Sequence, residues 1–197
     1  MLDLLRRCCA VSLLLLASAA AQAVPWTIQV KDAAGKPLAD AVVAVIVRGK
    51  PAKATGARAE MGQKDRQFAP QLLVVQTGTL VNFPNFDTVR HHVYSFSPIK
   101  VFEIKLYAGT PSDPVLFDKP GVATLGCNIH DRMSGHIIVV DTPVFTRTDA
   151  SGSARLELPP GDHLLQVWHA QMKSPQLQGQ ALVVGDAAGN STITISE

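Results

Sequence analysis

The chain has 197 residues, 47% of them hydrophobic and 17% charged, with 14 Gly and 13 Pro. It is too apolar for a disordered protein, and too low in charge and too interrupted by Gly and Pro for a coiled coil or helical array. Eighteen Lys and Arg against sixteen Asp and Glu leave a net charge of +2, so there is no basic footprint for nucleic acid, and a compact, β-rich protein with room for a sizeable core remains.

The first residues stand apart from the fold. Arg6 and Arg7 precede an apolar run from Cys8 to Ala21, which closes on the small-x-small pattern Ala21-Gln22-Ala23. This reads as a secretory signal over residues 1–23, with cleavage near Ala23 and a periplasmic or otherwise exported product. The run is short for a membrane span, which needs ~20 apolar residues. No cysteine follows the cleavage pattern, so lipidation is not indicated, and no later segment is long enough to cross a bilayer. Cys8 and Cys9 leave with the signal, and Cys127 stays as the single thiol. Exported proteins normally pair their cysteines, so an unpaired one needs a reason: burial, a bridge to a partner, or a metal.

Beyond the signal the pattern is strands and turns. Trp26–Lys31 alternates as a strand does, and Ala41–Val47 is a β-branched run. A polar stretch over 48–66 reads as a solvated loop or linker. Short strands are expected at Leu72–Gln76, Leu80–Phe83, Val93–Phe96, Phe102–Leu106, Val122–Leu125 and His136–Val140. Two hairpins are expected after them, Ala154–Leu158 with His163–Trp168 and Gln180–Val184 with Thr192–Ile195. Many short strands at this spacing indicate a sandwich or barrel. The tetrapeptide Asp-Ala-(Ala/Ser)-Gly recurs at 32–35, 149–152 and 186–189. Asp can bond its own backbone and Gly accepts positive φ, which suits a hairpin turn. All three copies flank the middle of the chain, which suggests one sandwich split in sequence by another.

The chemistry is concentrated in residues 126–135, where Cys127, His130 and Met133 follow the spacing C-x2-H-x2-M. A thiolate, an imidazole and a thioether on one compact loop can turn to a common point. With a second imidazole they make the set that holds copper in electron-transfer sites, two His and a Cys in a plane with a weak axial Met. The second imidazole is available at His91 or His92. Adjacent strand residues point to opposite faces, so one of the two faces the loop, and alternation alone leaves open which. His136, His163 and His169 lack a soft neighbour and read as structural or solvent-facing. Trp26 and Trp168 read as packing residues.

The pattern resembles the cupredoxins, most closely amicyanin, plastocyanin and pseudoazurin. Their first motif is similar to Val81–Asn85 followed by His91-His92-Val93, and their second to Lys119-Pro120-Gly121 followed by Cys127, His130, Met133, Gly135, Ile137 and Val139. The resemblance covers about 60–141. It implies a Greek-key β-sandwich, one type 1 copper site with His91, Cys127, His130 and axial Met133 as ligands, and redox partner proteins that exchange single electrons with it. The family usually carries Asn after the first histidine, where this chain has His92. The flanks, 24–59 and 142–197, resemble carboxypeptidase regulatory-like domains, through Gly35-Lys36-Pro37, Leu158–Gly161 and Leu165–Val167. That implies a small transthyretin-like or immunoglobulin-like sandwich without a catalytic site. Proteins of this composite type are often described with methylamine utilisation. The expected class is all-β, and the expected role is that of a carrier, not an enzyme.

Overall fold

A computed structural model describes residues 22–50, 52, 56–111 and 113–196. Apart from its last two residues, the segment read as a signal lies outside them. The described residues hold strands and no helix: β1 (Val24–Lys31), β2 (Val42–Val47), β3 (Arg58–Glu60), β4 (Gly62–Lys64), β5 (Gln67–Ala69), β6 (Leu72–Gln76), β7 (Thr79–Asn82), β8 (His91–Ser97), β9 (Lys100–Tyr107), β10 (Val115–Phe117), β11 (Gly121–Gly126), β12 (Ser134–Val140), β13 (Phe145–Arg147), β14 (Ser153–Leu158), β15 (Gly161–Trp168), β16 (Gln178–Val184) and β17 (Gly189–Thr194). The chain is therefore all-β, as its composition and turn spacing predict.

Four sheets make two sandwiches. The sheet β14-β1-β17 faces β13-β2-β15-β16 across a core of Ile28, Val30, Val43, Val45, Leu158, Leu165, Val167 and Ile193. The sheet β10-β7-β3 faces β6-β12-β11-β8-β9 across Val81, Phe117, Val75, Val93, Leu125, Ile137 and Val139. A third apolar layer joins the two sandwiches: Val42 and Ala44 of β2, Trp168 of β15, Val122 of β11, and Ile138 and Val140 of β12.

That layer explains two runs in the sequence. Strands with one wet face alternate, whereas strands covered on both faces read as continuous apolar runs. In β2, Val43 and Val45 enter one core while Val42 and Ala44 enter the joining layer. In β12, Ile137 and Val139 face the candidate metal centre's core, and Ile138 and Val140 face the other way. His136 shares that second face, with its ring 4.9 Å from the Trp168 ring and its Nδ1 3.3 Å from Thr124 Oγ1.

The structure departs from the sequence reading in three places. The stretch 48–66 is not a solvated loop throughout. From Arg58 it forms β3 and β4, and Met61 and Gln63 are fully buried. Strands of three residues are too short for alternation to register, and the turn between β4 and β5 is Asp65-Arg66, both with positive φ, where Asn-Gly is the usual signal. Secondly, the expected hairpins are crossings. β14 pairs with β1, and β15 with β2 and β16. β17 runs parallel to β1, not beside β16. The turns between them carry the chain from one sheet to the other. Thirdly, the repeated tetrapeptide has two uses. Gly35 and Gly152 close turns by donating to the carbonyls of Asp32 and Asp149 at 3.0 and 2.9 Å. Gly189 instead opens β17, where an added Cβ would lie 2.3 Å from the Trp26 ring.

Two outcomes follow from the joining layer. Ile138→Ala removes a fully buried side chain and should cost about 2–5 kcal/mol in denaturant unfolding. Burial holds the His136 imidazole below its usual pKa. The unfolded chain then binds more protons than the folded one, so stability is lost as pH falls below ~6.5. The His136→Gln variant should lose less stability than the parent between about pH 7 and pH 5, as followed by thermal melts.

Candidate metal centre

The site forms where two strand ends meet. β11 ends at Gly126 and β12 begins at Ser134, so residues 127–133 are the loop that joins them. Within it, Met133 N–H donates to the His130 carbonyl at 2.9 Å. That turn draws the two residues back over Cys127. His91 opens β8, which pairs with β11 at Tyr94 and Gly126. Its side chain points inward on the same face as Val93 and Ser95, all three fully buried.

The ligand atoms converge. Cys127 Sγ lies 3.9 Å from His91 Nδ1 and 3.7 Å from His130 Nδ1, and one donor atom from each residue falls within 4.8 Å of the others. The two imidazole rings sit 5.0 Å apart. Donors that share an ion at ~2.0–2.3 Å stand roughly 3.5–4 Å from one another. The set therefore fits a soft, imidazole-accepting ion, and neutral imidazole with thiolate is the chemistry that copper or zinc selects. Met133 packs in the same buried cluster as Cys127. Cys127 is a free thiol. Of the four side chains only His130 is partly exposed.

His92 does not join them. Its ring turns to the opposite side of β8, where Nε2 meets Glu103 Oε1 at 2.8 Å. There it heads a line of rings, 5.6 Å from Tyr94, which is 5.1 Å from Phe96. The rings that share parity with His92 thus lie on the face away from the donors, where His92 is buried, Tyr94 half-buried and Phe96 77% exposed.

The loop before His91 is tied by side chains. Asn85 donates from Nδ2 to the carbonyls of Val89 and Tyr107 at 2.8 and 3.1 Å, and its Oδ1 accepts from Asp87 N–H at 2.9 Å. Asp87 Oδ2 in turn lies 2.7 Å from His91 Nε2. The Asp87 carboxylate also accepts the backbone N–H groups of Asp65 and Arg66 at 2.7 and 2.9 Å. Burial pushes the Asp87 carboxyl up, but hydrogen bonds from the Arg66 amide, the His91 ring and the Asp65 amide outweigh it, and its pKa falls below the ordinary value. Tyr107 donates to the Phe83 carbonyl at 2.6 Å and accepts from Gln63. Burial raises its pKa to about 12, against the Gln63 bond and with a contribution from Cys127. The sequence reading did not include Asp87, Glu103 or Tyr107. An acidic residue four positions before His91 was the one available signal for Asp87.

Glycine matters at one point beside the thiol. A Cβ on Gly126 would lie 2.5 Å from Tyr94 Cζ, so the phenol ring occupies the space a side chain would need, against the residue bonded to Cys127.

No family model and no curated protein matches the chain. Among solved structures it is similar to a purple cupredoxin from Nitrosopumilus maritimus, 21% identical over 43% of this chain and 99% of that one, with a TM-score of 0.37. It is also similar to a mutant of amicyanin in its reduced form, 16% identical over 49% of this chain and 98% of that one, with a TM-score of 0.39. A copper-containing nitrite reductase from Thermus scotoductus SA-01 is 24% identical over 50% of this chain and 25% of that one, with a TM-score of 0.39.

Gly126→Ala should displace the Tyr94 ring and destabilise the fold by about 1–3 kcal/mol. Equilibrium unfolding in urea, with Tyr94→Ala as the background that relieves the clash, measures it.

Proposed function

We propose that this chain is an exported type 1 copper protein that carries single electrons between redox partners. The observation that carries the reading is the convergence of His91 Nδ1, Cys127 Sγ and His130 Nδ1 on one point, from residues up to 39 positions apart in the sequence.

His91, Cys127 and His130 would hold the ion, with Met133 as the weak axial donor. Copper supplies the one-electron chemistry, since it is stable in two charge states that differ by one. The protein's part is to keep the donors still. Cys127 is a free thiol, and the described residues offer it no cysteine to pair with in an intramolecular disulfide. His91 is fully buried at the start of β8, and Cys127 and Met133 are 4% and 2% exposed, so strands and core hold three of the donors. Donors that barely move between two charge states keep the reorganisation cost of electron transfer low. Their burial also keeps bulk solvent from three of the four, which favours a carrier over an enzyme.

His130 is the port, because it alone of the four reaches the surface. Ile129 beside it is 46% exposed, and Phe86 and Val89, on the loop into His91, are 63% and 38% exposed. These side chains offer partner proteins an apolar contact, with the exposed Arg132 at its rim. Export through a signal over 1–23 and a support role for the flanking sandwich complete the reading. Among the described residues no helix is long and apolar enough to cross a membrane.

The test is the visible spectrum of the copper-loaded protein. An intense thiolate-to-copper charge-transfer band is expected, lost on Cys127→Ser and kept on His92→Ala. A colourless Cu(II)-loaded protein overturns electron carriage in favour of copper handling. Loss of the band on His92→Ala with retention on His91→Ala overturns the ligand assignment.

A further inference from the structure

We propose that Asp87, seated on the backbone amides of the Asp65-Arg66 turn, is the positioning residue that locks His91 in the Nε2–H tautomer and so aims a bare Nδ1 at Cys127. The inference deepens the copper reading, and its first readout needs no metal.

A neutral imidazole has one N–H and one lone pair, and which nitrogen carries the proton is set by the partner of the other. His91 is fully buried, so its ring cannot satisfy either nitrogen with bulk water. Its Nε2 lies 2.7 Å from Asp87 Oδ2. An ionised carboxylate only accepts, so Nε2 holds a proton, and in the neutral ring it is then Nδ1 that presents the lone pair. Cys127 Sγ stands 3.9 Å from that lone pair. Metal-binding histidines recurrently rely on such an outer acceptor, whose loss typically costs about 10–100-fold in metal affinity.

The carboxylate is itself held. Asp65 N–H binds Oδ1 at 2.7 Å and Arg66 N–H binds Oδ2 at 2.9 Å, so three donors converge on two oxygens. Both amides belong to consecutive residues in the left-handed region, φ +54° and +57°. Two successive left-handed non-glycine residues are costly, and here that conformation turns adjacent N–H groups toward one carboxylate. The β4–β5 hairpin is thus tied to the metal centre through Asp87. Asparagine cannot replace it, because an amide NH2 would face one of the three donors.

Long-range 1H–15N correlation of the metal-free full chain reads the tautomer directly. We expect His91 protonated at Nε2 in the parent and a mixture of tautomers in Asp87→Ala. Competition titrations with Zn(II), Cu(I) and Cu(II) should show about 10–100-fold weaker binding in Asp87→Ala and Asp87→Asn. Cu(II) should lose more than Cu(I), because the missing negative charge favours the lower-charged ion, and the reduction potential should rise accordingly. A parent His91 protonated at Nδ1 overturns the proposal without any variant. So does an Asp87→Ala protein with an unaltered tautomer and Zn(II) affinity within about twofold of the parent. If Asp87→Ala fails to fold, the tautomer of the parent and the affinities of Asp87→Asn decide. A missing blue band with the expected tautomer sinks the electron-carrier reading and leaves this one standing.

Discussion

A strand that belongs to two cores at once organises this molecule. β12 leaves the Cys127–Met133 loop and places Ile137 and Val139 beneath the donor cluster, while Ile138 and Val140 pack against the neighbouring sandwich. β2 does the same from the other side with Val43, Val45, Val42 and Ala44. Neither strand can shift register by one residue without exchanging the contents of two apolar layers. The loop that carries three of the four candidate ligands is therefore anchored to a strand that is buried on both faces.

Polarity within the centre is arranged in shells of decreasing exposure to solvent. The thiol and the His91 ring lie innermost, with the His130 ring between them and the surface. Around them stand the carboxylate at 87 behind one ring, the amide side chain of Asn85 across the loop, and the Tyr107–Phe83 bond beneath. Each of these three groups is answered by backbone. An unanswered one would cost on the order of 1–3 kcal/mol, which is why a loop of this shape needs Asn85 to hold two carbonyls and one amide at once.

What could be read from the residues divides along physical lines. The long strands were legible because β-branched runs bounded by Gly and Pro carry their own signal, as in 42–47, 72–76 and 134–140. The candidate donors of the loop stand out because Cys127, His130 and Met133 are close in sequence and chemically rare together, and the structure brings Cys127 and His130 to His91. The choice between His91 and His92 was not legible from alternation, because the outward face of β8 carries rings as large as any core residue, Tyr94 and Phe96. The 58–69 region was hidden for a different reason. Its strands have three residues each, its turn lacks glycine, and its buried members are Met61, Gly62, Gln63 and Phe68, which do not alternate as aliphatic residues would. Strand partners were the least legible feature. Nothing local distinguishes a hairpin at Pro159-Pro160 from a crossing between sheets, since that choice depends on β1 and β2, more than a hundred residues away.

The parallel pairing of β17 with β1 has a bearing on how the molecule is made. β1 is the central strand of its sheet, and both of its neighbours, β14 and β17, come from the last quarter of the polypeptide. Both edges of the strand that carries Trp26, Ile28 and Val30 are thus closed by distant segments, Ser153–Leu158 and Gly189–Thr194. All strands of the central sandwich lie between 58 and 140. The sheet around β1 therefore closes across more than a hundred residues of intervening chain, whereas the strands of the other sandwich are contiguous in sequence.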